Sequence, residues 1–176
     1  CGIPYNTSME KEINYYTKIR KEANLTQQQA SDKMQTISED RLARIETEKI
    51  HITPDDILEM AQAYHKPDLC NYYCTHECPI GKKTMQSIHA QELSSIILQM
   101  LASLNTIEKE KNELIEITAD GKISNNELPS FARIQKELDE ISNTVETLKL
   151  WVEQTIANGD IDEEAYKTLK QKLYKK

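Results

Sequence analysis

Two long series of apolar residues, spaced by alternating steps of four and three, constrain this chain most. Leu93, Ile97, Met100, Leu104, Ile107 and Leu114 form one, with Lys111 between the last two; Ile134, Leu138, Ile141, Val145, Leu148 and Val152 form the other. Such spacing returns side chains to one side of a helix at every turn, whereas a strand repeats every second residue. Two such stripes joined by the polar stretch "EITADGKISNNEL" predict an antiparallel helical hairpin. A shorter helix over 163–172, with Tyr166, Leu169 and Leu173, is expected to fold back after the Asn158-Gly159 stop. Trp151, beside the second stripe, reads as a core or dimer contact. With four glycines and five prolines in 176 residues, little breaks helices elsewhere, and an all-α chain is expected.

The first part of the chain is punctuated differently, by capping residues at short intervals. Ile13, Tyr16, Ile19 and Arg20 recur at helical spacing, and Asn24 tolerates the left-handed conformation that stops a helix. Thr26 with Gln29 three residues on makes a capping box for a helix through Met34. Ser38 caps the next, with Glu39 and Asp40 in the first turn where the helix dipole favours acids, running to Glu48 or Lys49. Thr53, Pro54, Asp55 and Asp56 open a fourth helix, with Ile57, Leu58, Met60, Ala61 and Tyr64 as its apolar stripe.

The segments "IRKEANLTQQQASDKM", "ISEDRLARIETEK" and "TPDDILEMAQAYHKP" resemble the helix-turn-helix domain of the Xre/Cro and lambda-repressor-like family over residues 11–67. The resemblance implies a sequence-specific transcriptional regulator that binds double-stranded DNA, with 26–34 as the first helix of the motif and 38–49 as the recognition helix. It assigns Gln27, Gln28, Ser38, Glu39, Asp40, Arg41, Arg44 and Lys49 to DNA contact, and Arg20 with Glu46 to an internal ion pair. Asn24 and Gln35 stand where the family usually has glycine, Ala30 stands for the usual leucine, and the turn before Ser38 is one residue longer. Residues 9–69 hold nine basic and twelve acidic side chains within a chain of net charge −7, a poor balance for neutralising phosphates. The alternative is an interaction adaptor, of the kind that regulates a phage or toxin system, that keeps the scaffold and binds protein rather than specific DNA.

Between the two parts lies "DLCNYYCTHECPIGKK", where Cys70, Cys74, His76 and Cys78 offer three sulfurs and one nitrogen within nine residues. Zinc takes four such ligands, but structural zinc sites normally pair two short ligand turns across a longer loop. On a helix the three cysteines share one face and His76 points away, which suits three ligands of an iron–sulfur cluster with a fourth from elsewhere. Zinc is the first expectation and an iron–sulfur cluster the alternative; reduced packed thiols or a redox disulfide complete the set.

No run of 18 apolar residues and no signal segment is present, so neither a membrane span nor secretion is expected and a cytoplasmic location follows. No nucleophile with a positioned base appears, so no enzyme is expected. The organisation expected is a tag remnant or disordered tail at 1–8, a helix-turn-helix domain at 9–69, a cysteine-rich joint at 70–83 and a dimerising helical hairpin at 84–176. A homodimer through the C-terminal helices would double the base pairs read.

Overall fold

The computed structural model of the chain describes residues 13–175; the expected tail at 1–8 lies outside the described residues. Those residues form helices and no strands, and they divide between His65 and Lys66 into two units.

The first unit contains α1 (Tyr15–Glu22), α2 (Gln27–Ser31), α3 (Glu39–Glu46) and α4 (Pro54–Tyr64). Asn14 caps α1, its side chain accepting from the Tyr16 amide. Ile13 therefore precedes the helix and is exposed, while Tyr16, Ile19 and Arg20 are buried as their spacing requires. Asn24 ends α1 at φ 57°, and the Leu25 amide reaches back to the Arg20 carbonyl. The Thr26–Gln29 capping box is formed, but α2 stops at Ser31 rather than Met34. There the Lys33 and Met34 amides bond carbonyls three residues back, which tightens the helix into a turn.

Ser38 caps α3 as expected. The helix ends short of Lys49 because Glu48 adopts φ 58° and the Lys49 amide folds back onto the Arg44 carbonyl. Thr53 and Asp56 complete a reciprocal capping box on α4, with Pro54 in its first turn. Ile57, Met60, Ala61 and Tyr64 face inward, whereas Leu58 is exposed. With Ala30, Ile37, Leu42, Ile45 and Ile52 they form the core. Each fully buried aliphatic side chain there contributes about 1.5–3 kcal/mol.

The second unit holds α5 (Asp68–His76), α6 (Gly81–Thr84), α7 (Leu93–Thr118), α8 (Leu128–Ala157) and α9 (Glu163–Tyr174). α7 and α8 pair as the expected hairpin. Their turn places Gly121 at φ 71°, and α8 starts behind Glu127, whose carboxylate accepts the Ser124 amide. The buried line of α7 is Ile96, Ser103 and Ile117, with Met100, Ile107, Glu110 and Leu114 half-buried between them. Leu93, Ile97 and Leu104, expected inside, lie on an exposed flank with Leu101 and Ile115. On α8, Ile134 is buried and Leu138 exposed, while Ile141, Val145, Leu148, Trp151 and Val152 are half-buried. Thr144 and Thr147 are buried within the helix, their hydroxyls satisfied by the carbonyls of Glu140 and Asn143. Arg133 crosses the hairpin to Glu110 and Glu113. α9 buries none of its residues, so Leu169 and Leu173 do not fold back into a core.

Candidate nucleic-acid interface

α2, the following turn and α3 present a rigid surface because three carboxylate clasps, two of them ion pairs, hold them from behind. Arg20 on α1 meets Glu46 on α3 through two hydrogen bonds, Nε to Oε1 at 2.6 Å and a terminal nitrogen to Oε2 at 2.9 Å. Gln27 at the start of α2 donates to the same Glu46 carboxylate at 2.8 Å, and Arg20 also donates to the Leu25 carbonyl. One carboxylate thus ties three helices together, and the ion pair expected of Arg20 and Glu46 is present. Bonding to Glu46 outweighs burial and holds the Arg20 guanidinium even further from deprotonation than usual.

The second clasp joins α3 to α4. Arg41 donates to both oxygens of Asp56 at 2.9 and 2.7 Å, while the Thr53 amide and hydroxyl donate to Asp56 at 2.8 Å each. Burial alone would raise the Asp56 carboxyl; the bonds from Arg41 and Thr53 outweigh it and hold the group below its ordinary value.

The third clasp is the turn itself. The Glu59 carboxylate on α4 accepts from the Thr36 and Gln35 amides and from the Thr36 hydroxyl. These bonds depress its carboxyl, the Thr36 amide contributing most. Gln35 is not among the residues with positive φ, so the longer turn does not need the glycine usual at that place.

What remains on the outward side of α3 is a short ridge of Asp40, Arg44 and Thr47, one helical turn apart. Glu39 sits exposed at the helix tip, Gln28 is exposed on α2, and Lys49 is exposed beyond the end of α3. The Ser38 hydroxyl is occupied in capping, accepting from the Arg41 amide. Of the eight residues the sequence singles out, the structure therefore engages Gln27 and Arg41 internally and leaves Gln28, Glu39, Asp40, Arg44 and Lys49 facing solvent. Asp56, Glu59 and Thr47 were not singled out as parts of this surface. Thr53, Pro54, Asp55 and Asp56 did signal a helix start, but nothing local tells that the Asp56 carboxylate also takes a guanidinium from another helix.

These helices and clasps define a helix-turn-helix fold. Residues 17–68 match the family model described as Helix-turn-helix, and this part of the chain is a helix-turn-helix domain of the Xre and lambda-repressor-like type. No match was found among curated proteins or among solved structures. The matched family is one of DNA-binding regulators.

The cysteine run lies beyond that domain, in α5 and the step into α6. Cys70 and Cys74 are one turn apart on α5, and Cys78 follows the helix end, its sulfur accepting from the Gly81 amide at 3.5 Å. His76 is turned elsewhere: its ring stacks on Tyr72 with centroids 4.2 Å apart, and Nδ1 lies 3.0 Å from the Tyr72 carbonyl. Among the described residues, no three of His, Cys, Asp or Glu converge so as to hold a metal ion. Burial, then the neighbouring Cys74 thiol and the Glu153 and Asp68 carboxylates, push the Cys70 thiol up; burial and Cys78 do the same for Cys74. Gly81 is required by contact, since a Cβ there would collide with the Cys74 carbonyl. No helix among the described residues is long and apolar enough to cross a membrane.

Proposed function

We propose that the chain is a transcriptional regulator that binds double-stranded DNA sequence-specifically through α3 and acts as a homodimer. The observation that carries this is the outward ridge of α3, where Arg44 projects with no ion-pair partner among the described residues while the helix is clasped rigidly to its neighbours. Rigid presentation lowers the ordering cost of docking into the major groove. The exposed apolar flank of α7, with Leu93, Ile97, Leu101 and Leu104, supports self-association.

The test is binding of the full chain to a labelled duplex pool as salt is raised. Affinity should fall steeply, and Arg44→Glu should lower it about tenfold or more at low salt and flatten the salt dependence. Equal binding by the variant would remove α3 from the DNA.

One observation favours the adaptor instead: Arg41, a prime candidate for phosphate or base contact, is held by Asp56, which leaves Glu39 and Asp40 uncompensated at the tip of α3. An adaptor would keep its protein partner in the presence of excess competitor DNA.

Zinc, or an iron–sulfur cluster, at Cys70, Cys74, His76 and Cys78 is a separate proposal. It requires the end of α5 to reorganise, since the Tyr72–His76 stack must open to bring the imidazole to the thiols. Metal and sulfide analysis of protein purified without air tests it.

A further inference from the structure

Asp40 and Arg44 lie four residues apart on the outward ridge of α3, both exposed, and neither has an ion-pair partner among the described residues. They do not bond each other, and the neighbouring Arg41 is turned back onto Asp56. The ridge therefore offers one side chain that only accepts hydrogen bonds and, one turn along, one that only donates them. Resting on the DNA-reading assignment above, we propose that this pair sets the operator preference, with Asp40 selecting a cytosine and Arg44 a guanine close by.

In the major groove, guanine presents two acceptors and thymine an acceptor beside its methyl group, so both repel a carboxylate. Adenine offers its N6 amino group, but the adjacent N7 lone pair faces the second carboxylate oxygen. Cytosine presents the N4 amino group with no acceptor of its own beside it, which makes it the one base that suits Asp40. Arg44 meets the opposite requirement, since the N7 and O6 acceptors of guanine match a guanidinium fork. The two side chains start about 6 Å apart along the helix axis, which spans one to two base steps of about 3.4 Å each.

The carboxylate also explains how a slightly acidic reader can be selective. Repulsion from phosphates lowers affinity for every duplex alike, while repulsion from guanine, thymine and adenine falls on the wrong sequences alone. Specificity then comes from rejection as much as from attraction.

The experiment is selection of bound duplexes from a random pool at low salt, using the full chain and the variants Asp40→Asn and Arg44→Gln. Circular dichroism of each variant should match the parent, because both positions are exposed. The parent should enrich a half-site holding cytosine and guanine within about two steps, with each wrong base costing about ten- to a hundredfold. Asparagine bonds the N6 and N7 of adenine together, so Asp40→Asn should replace the cytosine by adenine and leave the guanine in place. Arg44→Gln should do the reverse, keeping the cytosine. An enriched motif that Asp40→Asn leaves unchanged would overturn this assignment while leaving DNA reading intact. No enrichment by the parent would remove both.

Discussion

Arg41 on α3 and Asp56 on α4 form a two-point ion pair at 2.9 and 2.7 Å, so a residue of α3 is spent on holding that helix. Its dependence on pH follows from Asp56, whose carboxyl is held below its ordinary value of 3.8. A depressed folded value means the contribution is fully present above 3.8 and is lost as pH falls through the lower, folded value. Glu59, also depressed, acts in the same direction from its ordinary value of 4.5. Urea unfolding of the first unit should therefore weaken at the acid end. Asp56→Asn should be less stable at neutral pH with a flatter acid limb, and an unchanged limb would refute this account.

Removing Arg20 should cost more than removing any exposed charge in the same unit. Arg20→Ala leaves the Glu46 carboxylate buried without its guanidinium, a loss of about 3–5 kcal/mol. Gln27→Ala removes one bond to the same carboxylate and should cost about 1–3 kcal/mol. Denaturant midpoints of the two variants should rank in that order.

Gly81→Ala should destabilise the second unit by about 1–3 kcal/mol, because the added methyl meets the Cys74 backbone rather than a movable side chain. Thermal melting of the full chain compared with Gly121→Ala separates this contact from a conformational effect. Gly121 has open space around it and φ 71°, so its cost is purely backbone strain.

A homodimer through α7 should dissociate when its exposed flank is charged. Leu101→Glu, at a side chain 52% exposed, should yield a monomer in sedimentation equilibrium while circular dichroism is retained. If the parent and the variant sediment alike, the flank is not the contact.

Zinc binding at the cysteine run should leave two marks together. It should slow the reaction of Cys70, Cys74 and Cys78 with a thiol reagent, and it should open the Tyr72–His76 stack, visible as a change in the histidine ring resonances. Thiols that react equally fast with and without zinc would discard the site. In its absence, the raised Cys70 and Cys74 thiols should react slowly at neutral pH, since little thiolate is present.

The local signals of the first unit were legible because caps are short-range chemistry. Thr26 with Gln29, Ser38, and Thr53 with Asp56 each mark a helix start from within four residues, and all form. The boundaries misjudged were C-terminal. Glu48 takes a left-handed conformation with no glycine to announce it, and α2 unwinds at Asp32 because Glu59, from α4, captures the turn. In the second unit the hairpin was readable but its seam was not. Two stripes share Met100, Ile107 and Leu114; the one filled by Leu93, Ile97 and Leu104 is the more apolar, yet the hairpin closes on Ile96, Ser103, Glu110 and Ile117. Polar Ser103 and Glu110 hid that seam from any count of hydrophobic residues. The internal roles of Gln27 and Arg41 were equally hidden, because a lone side chain does not reveal which distant carboxylate will take it.

The Glu59 clasp also sets the smallest piece of this protein that could be moved elsewhere. The turn between α2 and α3 owes three of its bonds to a carboxylate 23 and 24 residues further along the chain. Transplanting residues 26–46 alone into another scaffold would leave Thr36 and Gln35 unanchored and the pitch of α3 undefined. A working graft has to carry the chain through Glu59, which brings Asp56 with it, and has to begin early enough to keep Arg20 against Glu46, so the portable cassette is α1 through α4 rather than the two helices that give the motif its name.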